Sequence, residues 1–384
     1  MRELDQRALD TLSALGARPA APFFEDGPAA FLVERLKRLD GVETSRDAYG
    51  NVIAHYARPL GGSEQPPIAF VAHMDHPGFE IISPSEQDGV FTARALGGVP
   101  VASMTRPTPL LVLTPDGRRV PAETRPDPNH PPQTQGADRR VKVRLKDEAR
   151  FDLPVPAVFD LPDFVLDGET IRMRALDDLA GCASILSALE RVVAEGAETN
   201  LYAVFTRAEE GGLFGARLMA EAGTLPQETL IVSVESSPVI PGVAQGGGPV
   251  IRTGDALSTF DNGAEAVLIA ARQRIKARDP KVESQRQLMS GGTCEGTAFA
   301  AFGYRVTGLA FPLGNYHNAT TRIADPDGGV DAEYIMLADY LGGVELIAEA
   351  ARGTFSENDL PSRQRLREVP DEVRRRLMAT SAPS

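Results

Sequence analysis

The stretch DLAGCASILSALERVVAE (178–195), followed almost at once by LYAVFT (201–206), decides the fold. Leu179, Ala183, Leu186, Leu189 and Val193 recur at three- and four-residue steps, which is one stripe of a helix. LYAVFT is a short apolar run bounded by polar residues, which suits a strand in the interior of a sheet. Toward the C-terminus the alternation continues. FGARLMAEAG (214–223) reads as a helix, TLIVSVE (229–235) as a strand and AEAVLIAARQRI (264–275) as a helix. YRVTGLAF (304–311) reads as a strand, and VDAEYIMLADYLGGVELIAEAA (330–351) as one long final helix. Toward the N-terminus, residues 1–40 read as helical, and NVIAHYA (51–57) and PIAFVAH (67–73) as strands. Strands alternating with helices predict an α/β fold, a mostly parallel mixed sheet with helices on both faces.

From about residue 81 the texture changes. TPLLVLTP (108–115), RVKVRL (140–145) and PAVFDLP (156–162) are short β-like runs with no helical period between them. PAETRPDPNHPPQ (121–133) carries five prolines and reads as an exposed, irregular loop. The chain therefore divides into a discontinuous α/β domain, 1–80 and 168–352, around an inserted all-β domain, 81–167. Residues 353–384 form a charged tail with room for a short helix.

Composition excludes more than it identifies. The chain has 384 residues, 40 basic and 53 acidic side chains, and a net charge of −13, which repels nucleic acid and anionic membranes. Two cysteines, Cys182 and Cys294, give no disulfide framework. The opening MRELDQRALDTL lacks the apolar core of a signal peptide, and no apolar run reaches the ~20 residues of a membrane span, so a cytoplasmic location is expected.

Ligands of open α/β sheets bind at the carboxyl ends of strands. PIAFVA ends in His73-Met74-Asp75, IRMRAL in Asp177-Asp178, LYAVFTRA in Glu209-Glu210 and TLIVSV in Glu235. The segment after YRVTGLAFP reaches His317. Singly, each has an ordinary explanation: a surface turn, an acidic helix cap, a solvated loop. Together they bring two imidazoles and several carboxylates to successive strand ends. That mixture suits Zn²⁺ or Co²⁺, with one carboxylate bridging two ions and another, unligated, taking a proton from water. No P-loop, Gly-x-Ser-x-Gly or Cys-His cluster offers a competing chemistry.

AHMDHPGFE (72–80), ALDDLAGCA (175–183), TRAEEGGLFGA (206–216), VSVESSPVIPG (232–242) and the late His317 together resemble the TET and glutamyl-aminopeptidase family of dinuclear zinc aminopeptidases. The position of the insertion, PAVFDLPDFVLDGETIRMRALDD (156–178) and GGGPVIRTGD (246–255) carry the resemblance to the family within its clan. It implies a zinc-exopeptidase-like fold with two divalent ions per subunit. His73, Asp177 and Glu235 would hold one ion, and Asp177 would bridge to a second held by Glu210 and His317. Glu209 would be the general base and then the acid, and Asp75 would orient His73. A cis peptide between Asp177 and Asp178 is implied too. The insertion would be a β-barrel or PDZ-like lid and oligomerisation domain, the substrate a short peptide, and the assembly a homo-oligomer from dimer to dodecamer. The chain departs from the pattern at Glu235, where the family usually has Asp, and at His76, where an acidic residue is usual, which would alter the rim of the site. It departs again at GGTCEG (291–296), in place of a GGTDAG-like segment. His55 and His130 match no ligand motif, and Cys294 is expected to be a buried structural thiol. An amidohydrolase or deacylase acting on a blocked small molecule, and a non-catalytic assembly protein with the same fold, are the other readings.

Overall fold

The computed structural model describes residues 2–58, 66–133, 139–352 and 365–380. Two helices open the chain, α1 (Glu3–Gly16) and α2 (Asp26–Leu36), followed by strands β1 (Val42–Arg46), β2 (Val52–Arg58) and β3 (Ile68–His73). The inserted domain follows: β4 (Gly78–Pro84), β5 (Val90–Leu96), a short α3 (Ala102–Thr105), β6 (Pro109–Leu113), β7 (Arg119–Arg125), β8 (Arg140–Leu145) and β9 (Val155–Phe159). The chain then returns through β10 (Val165–Asp167), β11 (Thr170–Met173), α4 (Leu176–Ala194), β12 (Thr199–Thr206), α5 (Phe214–Glu221) and β13 (Leu230–Pro238). It continues through β14 (Val250–Arg252), α6 (Asn262–Arg278), β15 (Gln285–Gln287), α7 (Glu295–Ala301) and β16 (Arg305–Leu313). Last come β17 (Glu333–Met336), α8 (Leu337–Ala351) and α9 (Asp371–Thr380).

The main sheet has eight strands in the order β1-β2-β12-β3-β13-β16-β14-β15. Its centre, β12-β3-β13-β16, is parallel, whereas β1 and β2 form an antiparallel edge and β14 runs against β16. Alternate residues of β3 face opposite layers. Phe70 and Ala72 join the core under α1, α4, α6 and α8, and Ala69 and Val71 join the core under α5 and α7. Strands β4 to β9 close a six-stranded antiparallel barrel around an apolar cluster that includes Phe79, Leu110, Val112 and Phe159. The mostly parallel α/β fold with an inserted all-β domain is thus present. Among the described residues no helix is long and apolar enough to cross a membrane.

Three local expectations need correction. The proline-rich loop begins later than expected, because 121–125 belong to β7 and Pro121 lies opposite Leu111. The carbonyl of Pro121 still accepts from Lys146 N at 2.9 Å, so the strand continues through a residue with no N–H to donate. The final helix is also shorter than expected. Glu333–Met336 pairs with β11, its burial alternating from residue to residue, and only Leu337 onward is helical. For the same reason β11 is not in the main sheet; it forms a three-stranded sheet with β10 and β17. Of the tail, α9 is fully exposed, while 353–364 and 381–384 lie outside the described residues.

Candidate metal centre

His73 is the last residue of β3, Glu235 lies within β13, and Glu209-Glu210 follow β12. His317 follows β16 in a one-turn 3-10 segment, and Asp177 sits at the entry to α4, where the Asp177–Asp178 peptide is cis. These residues converge. His73 Nε2 is 3.4 Å from Asp177 Oδ1, 3.3 Å from Glu235 Oε1 and 3.8 Å from Glu209 Oε2. His317 Nε2 is 3.5 Å from Asp177 Oδ2 and 3.1 Å from Glu210 Oε1. Asp177 therefore turns one oxygen toward each imidazole.

The donors form groups in which every candidate atom lies within 4.8 Å of the others: His73 with Asp177 and Glu235, His73 with Glu209 and Glu210, and Asp177 with Glu210 and His317. Asp177 Oδ1 and Glu210 Oε1 are buried without a hydrogen-bond partner among the described residues. Buried carboxylate oxygens are costly unless a donor or cation meets them. Imidazole nitrogens and carboxylate oxygens so arranged fit a pair of divalent ions.

The charges strain against burial. Burial alone would lower the His73 imidazole, but Glu209, Asp177 and Glu235 hold it well above its ordinary range. His317 is raised in the same way by Glu210 and Asp177. Burial pushes Glu209 well up, with Glu235 and Glu210 adding and His73 opposing. Asp177 goes the other way: burial would raise it, yet the two imidazoles bring it far below the carboxylate range.

A set of buried acids holds these donors through the backbone. Asp75 Oδ1 and Oδ2 accept the amides of Glu209 and Glu210 at 3.0 and 3.1 Å. The partner of His73 Nδ1 is not that carboxylate, 3.8 Å away, but the main-chain oxygen of Asp75 at 3.0 Å. Glu333, unexposed, accepts from Leu176 N at 2.8 Å, Asp177 N at 3.0 Å and His317 N at 2.9 Å, so one carboxylate fixes two donor-bearing segments. Glu295 accepts from Thr206 Oγ1 at 3.1 Å and Ser233 Oγ at 3.0 Å. The sequence reading missed Glu333 because it placed that residue in a helix. Glu295 carries no local signal in GGTCEG, because its partners Thr206 and Ser233 lie far away in sequence.

His76 is buried beneath the site rather than at its rim, with Nδ1 2.6 Å from Asp177 O and Nε2 2.9 Å from Asn318 Oδ1. Cys294 is a buried free thiol 3.6 Å from Asp255 Oδ2, pushed up to about 12 chiefly by burial. It belongs to none of the candidate metal groups among the described residues. His55 stacks on Tyr202 at 4.1 Å, and His130 pairs with Asp127 at 3.2 Å. Arg252 is buried 3.9 Å from Glu235 Oε2, and its Nε and Nη1 have no hydrogen-bond partner among the described residues.

The barrel reaches the site through glycine. A Cβ on Gly98 would fall 2.0 Å from His317 Nδ1, so only glycine allows this approach. The Gly98 carbonyl lies 3.3 Å from that same nitrogen.

Comparison with known proteins gives the family and the fold. The sequence profile of the M42 glutamyl aminopeptidase family matches residues 50–328. A glutamyl aminopeptidase of Lactococcus lactis subsp. cremoris (strain MG1363) is 26% identical over 315 residues, 77% of this chain and 84% of that protein. Among solved structures, an aminopeptidase from the archaeon Desulfurococcus kamchatkensis is similar with a TM-score of 0.73 at 22% identity, covering 94% of this chain and 98% of that one. A TET peptidase of Pyrococcus horikoshii, able to assemble into a tetrahedron or a large octahedral shell, has a TM-score of 0.70 at 22% identity, covering 90% of this chain and 100% of that one.

Proposed function

The chain belongs to the M42 glutamyl aminopeptidase family of peptide-bond hydrolases, and from that membership we propose that it removes N-terminal residues from short peptides. Asp177 carries the reading, because its two oxygens face different imidazoles, at 3.4 and 3.5 Å. That disposition suits a carboxylate shared between two cations. His73, Asp177 and Glu235 would hold one ion, and Asp177, Glu210 and His317 the other, Zn²⁺ in preference to Co²⁺. Bound there, the ions would polarise the scissile carbonyl and ionise water near neutral pH.

Glu209 takes the proton of the attacking water and returns it to the leaving amine. Its carboxyl, raised by burial, is shifted toward the range a general base needs. Asp75 positions rather than reacts. Its carbonyl fixes the tautomer of His73, and its carboxylate holds the backbone of both glutamates. The buried guanidinium of Arg252, 3.9 Å from Glu235 Oε2, places a positive charge at that side of the centre and, with the glutamyl aminopeptidase relative, supports an acidic first residue. Two buried free thiols suit a cytoplasmic setting. The fold shared with a TET peptidase that forms shells supports self-association, with the barrel as lid and contact surface.

The test is turnover of free and N-acetylated glutamyl, lysyl and leucyl anilides by metal-loaded wild-type and Glu209→Gln protein. We expect hydrolysis of the free glutamyl substrate, and a loss of about 10²–10⁴-fold in the variant with both metal equivalents retained. Hydrolysis of the acetylated substrates alone would favour the deacylase reading. Full turnover in the variant would remove Glu209 as the base.

A further inference from the structure

A cleft of about 800 Å³ opens between the barrel and the α/β domain, with Glu210 in its wall. That volume is within the ~300–1,000 Å³ of small-ligand pockets. The barrel side contributes Arg94 from β5 and Arg139 from the approach to β8. The opposite side contributes Phe23 and Phe214, both partly exposed and stacked with ring centroids 6.3 Å apart. Arg139 donates to the carbonyls of Ala95 and Gly97, which fixes its charge at the wall. Arg94 Nη1 is 3.3 Å from Glu80 Oε2, and its Nε has no hydrogen-bond partner among the described residues. Among the described residues Glu210 is the one carboxylate in the lining, and it belongs to the metal cluster.

Direction follows from the two ends of the centre. Arg252 lies at the Glu235 side, and the cleft begins at the Glu210 side, with Asp177 between them. A peptide whose first residue lies at the Glu235 side of the centre would send the rest of its chain past Glu210 into the cleft.

We propose that this cleft is the subsite for the leaving part of the peptide, in which Arg94 and Arg139 hold a carboxylate and the Phe23–Phe214 pair takes an apolar side chain. The inference rests on the aminopeptidase reading above and adds to it a substrate class: very short peptides with an anionic group just beyond the scissile bond. Guanidinium forks match carboxylates bidentately, and aromatic faces take apolar side chains without a polar partner. The carboxylate has two possible sources, the C-terminus of a dipeptide or an acidic second residue.

The experiment compares three substrates of the metal-loaded enzyme: glutamyl-phenylalanine, its C-terminal amide, and glutamyl-glutamate amidated at its C-terminus. For the wild type we expect amidation of the first to raise KM about tenfold with kcat little changed, the effect of losing one charged hydrogen-bonded contact. In the Arg94→Gln and Arg139→Gln variants that acid-over-amide preference should shrink toward unity. Amidated glutamyl-glutamate matching the free acid identifies a side-chain carboxylate as the occupant; failure to match identifies the terminal one. Equal KM for acid and amide in the wild type overturns the proposal, as does a preference unchanged in both variants. Absence of hydrolysis of all three overturns the aminopeptidase reading itself.

Discussion

Strands β3, β13 and β16 are buried along nearly their whole length and bring ionisable groups to the site in or just beyond their carboxyl-terminal halves, whereas β6, β7 and β8 alternate buried and more exposed residues. The barrel is filled by an apolar cluster, and the polar residues buried in its strands, such as Thr124, are uncharged. The carboxyl end of the main sheet instead buries His73, Asp177, Glu235, Glu295, His317 and Glu333. One region gains stability from its interior without a ligand, and the other holds a concentration of charge that opposes folding until cations meet it. The barrel can therefore act as a rigid arm, bringing Gly98 and the two arginines of the cleft to a centre it does not itself stabilise.

The sharpest way to break this contrast is to damage the barrel alone. Phe79 is fully buried and packs edge-on against Phe159, with ring centroids 5.6 Å apart. Phe79→Ala should cost about 3–5 kcal/mol of stability. It should leave two metal equivalents bound and the KM for a glutamyl anilide unchanged at temperatures where the variant is folded. Denaturant unfolding beside a metal assay checks this. Metal lost in parallel with barrel stability would mean that the two regions fold as one unit.

The complementary change is Glu333→Gln, which should do little to packing and much to the centre. A glutamine offers one acceptor oxygen where the carboxylate now meets three amides, and its own N–H₂ opposes the others. Metal affinity should fall about 10–100-fold, as for other residues that orient ligands, and chelator competition measures it. Unchanged affinity would reduce Glu333 to a structural role.

The same contrast explains what was legible beforehand. Apolar runs and helical stripes carry their own signal, so β3, α4, β12, β13 and β16 could be read directly. The candidate donors could be found because each follows or ends such a run. The supporting acids could not. Glu333, Glu295 and Glu25 act through backbone amides and hydroxyls of segments far away in sequence, and nothing local marks a glutamate whose oxygens will meet Asp177 N, Ser233 Oγ or Ala208 N. The β17 strand was hidden similarly, because its pairing with β11 overrides the helical pattern that Leu337–Ala351 extends backward. His73 Nδ1 meets the carbonyl of Asp75 at 3.0 Å rather than its carboxylate at 3.8 Å, a distinction that residue identity cannot carry.

The smallest effect separating the two regions is one of pH, measured on metal-stripped protein. Burial raises Asp75 from 3.8 to about 7, and burial likewise raises Asp178, Glu209, Glu235 and Glu333. A carboxyl raised in the fold binds its proton more tightly folded than unfolded, so its contribution to stability is present at low pH and lost as pH rises. For Asp75 that window runs from 3.8 to about 7. His73 and His317, also raised, stabilise the fold below their unfolded value and lose that contribution as pH passes their folded values. His76, lowered by burial, opposes them as pH rises, whereas the stabilising contribution of Asp177 is already complete above its unfolded value and adds no slope here. Each net proton held by the fold gives a slope of about 1.4 kcal/mol per pH unit, so we expect the metal-free protein to lose stability as pH rises from about 5 to 7. Zn²⁺ added back should flatten or reverse that slope, since cations favour the ionised carboxylates. Phe79→Ala should lower the whole curve without tilting it. A metal-free protein whose stability rises across that interval would show that the buried charge at the sheet's carboxyl end is compensated within the chain, and the distinction between the two regions would no longer hold.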